Sequence, residues 1–132
     1  MKNIVIAGAT LIAAACSLSA WAAEYPDRPI RMLVGFAPGG GTDTTARAVA
    51  LKMAASMGQQ IIVDNRAGGA GNAATEIVVR GSPDGYTILM GTIAALAINP
   101  TLYGNLPFDP IKDLAPVGQA VNSSNVLVSH PN

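Results

Sequence analysis

Apolar stretches alternate with glycine-rich breaks along this chain, and the apolar period switches between strand-like and helix-like spacing. Ile30-Arg31-Met32-Leu33-Val34-Gly35-Phe36 is a mostly apolar run that ends in Ala37-Pro38-Gly39-Gly40-Gly41-Thr42-Asp43. That order predicts a strand and then a glycine turn. From Thr44 to Met57 the pattern is helical, with Ala46, Val49, Ala50, Met53 and Met57 on one face. Thr42 or Asp43 is the expected cap, since either side chain can accept from the first free amides. Gly58 is the expected terminator. Ile61-Ile62-Val63 is a β-branched run and predicts a buried strand. A second glycine turn spans Asn65 to Asn72, and Ala73 to Val79 reads as a short helix. Ser82-Pro83-Asp84-Gly85 is a turn in which Pro presets φ and Gly takes positive φ. Tyr86 to Met90 is the next strand, ending at Gly91-Thr92, and Ala94 to Ile98 is a helical turn. Thr101 to Pro116 carries Pro107, Pro110 and Pro116 and predicts loop with short helical turns. Val117 to Ala120 and Asn125 to Ser129 read as further strands.

Strands alternating with helices predict an α/β fold with a mostly parallel sheet. Such a sheet needs helices on both faces. Some five expected strands against two clear helices leave apolar strand faces uncovered. The last residues, His130-Pro131-Asn132, directly follow an expected strand. The sequence thus carries the expectation of a fragment of a longer protein.

The N-terminus changes the picture of where the protein works. Met1-Lys2-Asn3 is a short positive region, and Ile4 to Ala15 is apolar but too short to span a bilayer. Ala20-Trp21-Ala22 has the small-x-small pattern of a signal peptidase site. Residues 1–22 are therefore expected to be a signal peptide, with Ala23 the mature N-terminus in a periplasm. The weaker alternative is lipoprotein processing at Cys16, but Ala13 stands where a large aliphatic residue is usual. Cleavage after Ala22 discards the only Cys, so no disulfide or thiolate metal site is expected. The formal net charge is zero and 12% of residues are charged, with no basic block to suggest nucleic acid.

Candidate chemistry concentrates at the first glycine turn. Backbone amides can approach a ligand there with no Cβ in the way. The helix N-terminus beyond it favours an anion. Gly39, Gly40, Gly41 and Thr42 are the expected anion-binding residues, beyond the end of the first strand. Phe36 is either a core aromatic or an apolar wall for the ligand. Thr92 is placed to donate a hydroxyl at the same sheet edge, or to make a local turn. Asp43 is awkward beside an anion and is read first as the helix cap. Asn99 reads as a turn residue. Arg66 could clamp a carboxylate bidentately, but is read as solvated beside Asn65. The single His, His130, has no assigned role. No G-x-S-x-G elbow, H-E-x-x-H spacing or P-loop Lys is present, so catalysis has no support. A Rossmann-like dinucleotide enzyme is the alternative, but Thr44 stands where the last glycine of G-x-G-x-x-G belongs. A ligand-sensing module for a membrane receptor is a third class.

Six segments in order resemble one family: Tyr25-Pro26-Asp27-Arg28-Pro29-Ile30, Gly35 to Asp43, Asp64 to Asn72, Ser82 to Thr87, Ala97 to Tyr103 and Asn125 to Val128. They resemble the Bug family, the TctC-like substrate-binding proteins of tripartite tricarboxylate transporters. The resemblance implies two α/β lobes around a cleft, as in periplasmic binding proteins, with residues 23–132 the first lobe, in part, and the second lobe absent. It implies a small carboxylate or related amide as ligand, no metal or organic cofactor, and integral membrane transporter subunits as partners. It also implies that Asp43 organises water around the ligand, together with the binding residues Phe36, Gly39, Gly40, Gly41, Thr42 and Thr92.

Overall fold

The computed structural model describes residues 24–123. Its frame is a three-stranded parallel sheet in the order β2-β1-β3. The strands are β1 (Ile30–Val34), β2 (Ile61–Asn65) and β3 (Thr87–Met90). Between β1 and β2 lies α1 (Gly41–Met57), and between β2 and β3 lies α2 (Asn72–Val79). A wide helical turn, Ala94–Ile98, then runs into α3 (Asn99–Leu102). The register aligns Ile30 with Ile61 and Val34 with Asn65 on one side of β1, and Met32 with Ile88 on the other.

β1 is central, with a strand on each edge, and four of its five residues are buried. Ile30, Met32 and Val34 point to one face, where they meet Ala46 and Ala50 of α1, with Val49, Met53 and Met57 packed around them. The small alanines let the helix lie close against the strands. Leu33 points to the other face and is fully buried, where α2 packs on β1 and β3. β1 connects to β2 on one side, whereas β2 connects to β3 across β1. Right-handed crossovers in opposite directions put α1 and α2 on opposite faces. The order β2-β1-β3 puts the switch in connection direction beside β1, and in open α/β sheets ligands bind beyond the strand C-termini at such a point.

At the opposite pole, Tyr25 and Tyr86 meet edge to face at 5.1 Å. The Tyr25 hydroxyl donates to the Gly85 carbonyl at 2.8 Å, and Gly85 takes the expected positive φ of 81°. This pole ties the start of the lobe to the turn before β3.

Four expectations need correction. The first helix begins at Gly41, not Thr44, so Thr42 and Asp43 lie inside its first turn; Gly40 is the cap residue, with no side-chain cap bond. Asn99 is no loose turn residue but opens α3 and is 2% exposed. Val117 to Ala120 form no strand: Val117 is 95% exposed, and the described strands leave no partner ladder beside it. The described residues thus hold three strands rather than four, while Asn125 to Ser129 and residues 1–22 lie outside them. Gly58 does terminate α1 in left-handed backbone, φ 68°, its N–H donating to the Ala54 carbonyl at 3.0 Å.

Candidate functional site

Three loops meet at the C-terminal edge of the sheet: Gly35–Gly40 after β1, Arg66–Gly71 after β2 and Gly91–Ile93 after β3. The first carries the N-terminus of α1. The earliest intrahelical bond here is from Thr44 N–H to the Gly40 carbonyl at 2.9 Å. The amides of Gly41, Thr42 and Asp43 precede it and mark the positive end of the helix dipole. Gly39 has φ 85° and needs to be glycine for its backbone alone. Gly41 does not: its φ is ordinary, and a Cβ there would meet nothing within 4 Å. The lobe itself gives Gly41 no reason to lack a side chain.

The second loop is wound through left-handed backbone. Gly69, Ala70 and Gly71 have φ of 54°, 53° and 101°. Ala70 is the single non-glycine residue of positive φ among those described, a conformation costing about 1–2 kcal/mol for an L-residue. Asn99 holds this loop, donating from Nδ2 to the Gly69 carbonyl at 3.2 Å and to Asn72 Oδ1 at 2.7 Å. Thr75 adds a bond to the Gly71 carbonyl at 3.0 Å. Gly71 presses against the first loop so closely that a Cβ on Gly35 would lie 2.5 Å from the Gly71 Cα.

Around Gly71 the three loops converge. The position its own Cβ would take is 3.7 Å from Phe36 Cε2, 3.8 Å from Thr92 Oγ1 and 3.1 Å from Ala95 Cβ. Phe36 is half-buried there, neither a full core residue nor a surface one. Thr92 Oγ1 is buried and has no hydrogen-bond partner among the described residues. A buried hydroxyl left unpaired costs roughly 1–3 kcal/mol, so this one, at the edge where the three loops meet, is a candidate donor or acceptor for a ligand.

Asp43 is 3% exposed and fully engaged within the lobe. Its Oδ2 accepts from Arg47 Nε at 3.0 Å and from Gly39 N–H at 2.9 Å, and its Oδ1 from Asn65 Nδ2 at 2.9 Å. The Arg47 bond, then the Gly39 amide and Asn65, hold its carboxyl well below the usual carboxylate range. The charge stays on but is spent on these partners, which answers the difficulty of a carboxylate beside an anion site. Arg66 is no clamp aimed at a ligand: its Nε pairs with Asp64 Oδ1 at 3.0 Å. Arg31 shares that carboxylate through Nε at 2.8 Å, and these bonds lower the pKa of Asp64 too.

Of the sequence-expected residues, Phe36 and Thr92 are brought together around Gly71, while Gly39, Gly40, Gly41 and Thr42 form the adjoining turn. Asn65 and Asn99 were missed as site residues. Each precedes a strong turn signal, Gly-rich or Pro, and that signal hid an amide with long-range partners, half-buried at Asn65 and buried at Asn99.

A three-stranded parallel sheet with helices on opposite faces and glycine loops at its C-terminal edge is the α/β architecture of a periplasmic-binding-protein-like lobe. The chain belongs to the tripartite tricarboxylate transporter family receptors, whose model matches residues 45–132. That match starts inside α1, so the first glycine turn lies upstream of it. A UPF0065 protein of Bordetella pertussis is 40% identical over 126 residues, covering 94% of this chain and 38% of the relative. Among solved structures, MatC (Rpa3494) from Rhodopseudomonas palustris with bound malate is 36% identical at a TM-score of 0.65, over 67% of this chain and 30% of that one. Rpa4515 of R. palustris, with adipate, is 36% identical at a TM-score of 0.64, over 67% and 29%. The chain thus spans well under half the length of the proteins it matches. The matching family is one of transporter receptors.

Proposed function

We propose that residues 23–132 form the first lobe of an exported receptor that captures a small carboxylate and presents it to tripartite tricarboxylate-type transporter subunits in the membrane. The ligand's carboxylate sits on the turn Gly39-Gly40-Gly41-Thr42 at the N-terminus of α1, where helix dipole and backbone amides favour negative charge. Phe36 lines its carbon chain, and Thr92 supplies a hydroxyl. Asp43 acts from behind the turn by fixing Gly39. The observation that carries this reading is the buried, unpaired Thr92 Oγ1, set among three glycine loops at one sheet edge. The malate and adipate in the two similar receptors support a dicarboxylate as the class of ligand. A second lobe closes over the ligand, and the closed form is what the membrane partner recognises. The ligand drives closure only by its preference for that state.

Calorimetry on the full-length mature protein with malate, adipate, citrate, glutamate and aspartate tests the reading, with NAD as the contrasting ligand. Micromolar binding of at least one carboxylate is expected; binding of NAD alone overturns the proposal. Intact-mass analysis of a periplasmic extract tests export, with Ala23 as the expected first residue. A lipid-modified species starting at Cys16, or one retaining Met1, contradicts it.

A further inference from the structure

We infer that Asn65 is a positioning residue that preorganises the ligand-facing turn and thereby sets the receptor's affinity. This rests on the carboxylate-receptor reading above.

Asn65 closes β2, and its side chain reaches across to the loop after β1. One side-chain amide makes both donor bonds: Nδ2 to the Phe36 carbonyl at 3.0 Å and to Asp43 Oδ1 at 2.9 Å. Its Oδ1 accepts from Arg47 Nη2 at 3.2 Å. Phe36 and Asp43 are the two ends of the turn that holds Gly39, Gly40 and Gly41. Packing holds those glycines little: a Cβ at Gly39 or Gly41 would touch nothing within 4 Å and one at Gly40 would meet only the Ala37 carbonyl oxygen at 3.6 Å, so hydrogen bonds, including Gly39 N–H to Asp43 Oδ2, fix the turn. A glycine turn is the least ordered kind of chain unless its ends are tied. Holding it in the bound shape before the ligand arrives removes an ordering cost from binding.

The chemistry demanded at this position is narrow. The residue must donate to a neutral carbonyl and to a carboxylate while accepting from a guanidinium. Serine has one hydrogen to give, and aspartate has none. The charged groups facing Asn65 are Asp43 and Arg47, both from α1. The neighbouring Asp64 alternates to the other face of β2 and is occupied by Arg31 and Arg66. Asn65→Asp therefore aims a second carboxylate at Asp43 and at the Phe36 carbonyl, with Arg47 as the shared cation. Two carboxylates so placed hold on to a proton at higher pH than one alone.

The test uses full-length wild type, Asn65→Ser and Asn65→Asp. Hydrogen exchange is followed by mass spectrometry on the segment 35–43 and, for reference, on α2. Affinity for malate and adipate is followed by calorimetry at pH 8 and pH 5. In Asn65→Ser, exchange in segment 35–43 should be at least tenfold faster, with α2 unchanged. In Asn65→Asp, affinity should drop at least tenfold at pH 8. The ratio of wild-type to variant affinity should shrink at pH 5, where the carboxylate pair takes up a proton. Ligand protonation is common to both proteins and cancels in that ratio. Unchanged exchange in 35–43, acceleration spread equally over α2, or a pH-independent affinity ratio would each overturn the role. If wild type binds none of the carboxylates, the receptor reading fails, and the exchange data alone decide whether Asn65 holds the turn.

Discussion

At the scale of single residues, the site separates groups that serve the fold from groups that await a partner. Thr92 belongs to the second kind, because its buried Oγ1 is unpaired. Thr92→Val keeps the shape and removes the hydroxyl. The unliganded protein should then be as stable as wild type or more so, since an unsatisfied polar atom is gone. Carboxylate affinity should fall at least tenfold, about 1.4 kcal/mol. A melting scan and a titration on one preparation check both signs; a fall in stability with unchanged affinity would make Thr92 purely structural. Asp43 belongs to the first kind. Its pKa is depressed in the fold from an ordinary value of 3.8, so the unfolded chain binds the proton first as pH falls. Its stabilisation is therefore present above pH about 4 and is lost progressively below it, toward the depressed folded value. Wild type should resist denaturant better than Asp43→Asn at pH 7, and the gap should narrow at pH 3. A gap of constant size would mean that the charge contributes nothing.

At the scale of elements, two glycines that look alike in the sequence have opposite reasons to exist. Gly35 faces backbone: a Cβ would stand 2.5 Å from the Gly71 Cα, and neither chain can give way cheaply. Gly35→Ala should destabilise by about 3 kcal/mol, the upper end for overpacking. Gly41 faces open space in the first turn of α1. Gly41→Val should melt close to wild type yet bind at least tenfold more weakly, about 1.4 kcal/mol, because the new side chain stands where the carboxylate approaches. Circular dichroism melts and calorimetry on the pair would show whether this division holds; a Gly41→Val protein that binds normally would make the turn structural only. The same contrast explains what was legible beforehand. Strand and helix periods located β1, α1, β2, α2 and β3 within a few residues, because each has one face that must be buried. The turn glycines were legible as a class, but which one packs on backbone depends on how β1 and β2 sit side by side, and no local pattern encodes that. Helix α1 starts earlier than expected because Gly40 caps it without a side chain, leaving Asp43 to reach back to Gly39. Val117 to Ala120 had strand-like composition, yet composition forms a strand only where a neighbour offers a ladder. Asn65 and Asn99 act through partners 18 to 30 residues away, which single-chain spacing cannot reveal.

At the scale of the whole molecule, the question is how much binding one lobe can supply. The chain spans 38% of the length of its Bordetella pertussis relative, and in the function proposed above the described lobe supplies one wall of a cleft. Pockets for small molecules bury most of the ligand's surface. A dicarboxylate resting on this edge alone leaves its far side in water, where a contact with a helix terminus contributes about 0.3–1 kcal/mol. One hydroxyl from Thr92 adds about 1 kcal/mol. Against this stands an association cost of at least about 4 kcal/mol in lost freedom. The lobe also exposes large apolar side chains, with Ile93 at 75%, Ile111 at 89% and Val117 at 95%, and such surface favours association. Residues 23–132 produced alone should therefore bind malate or adipate no more tightly than roughly millimolar, about −4 kcal/mol, and should elute from a sizing column as oligomers. The full-length receptor under the same conditions should bind at micromolar strength or better. A monomeric 23–132 lobe with micromolar affinity would mean that the three glycine loops form a complete site by themselves, and that closure of a second lobe adds recognition by the transporter rather than affinity for the ligand.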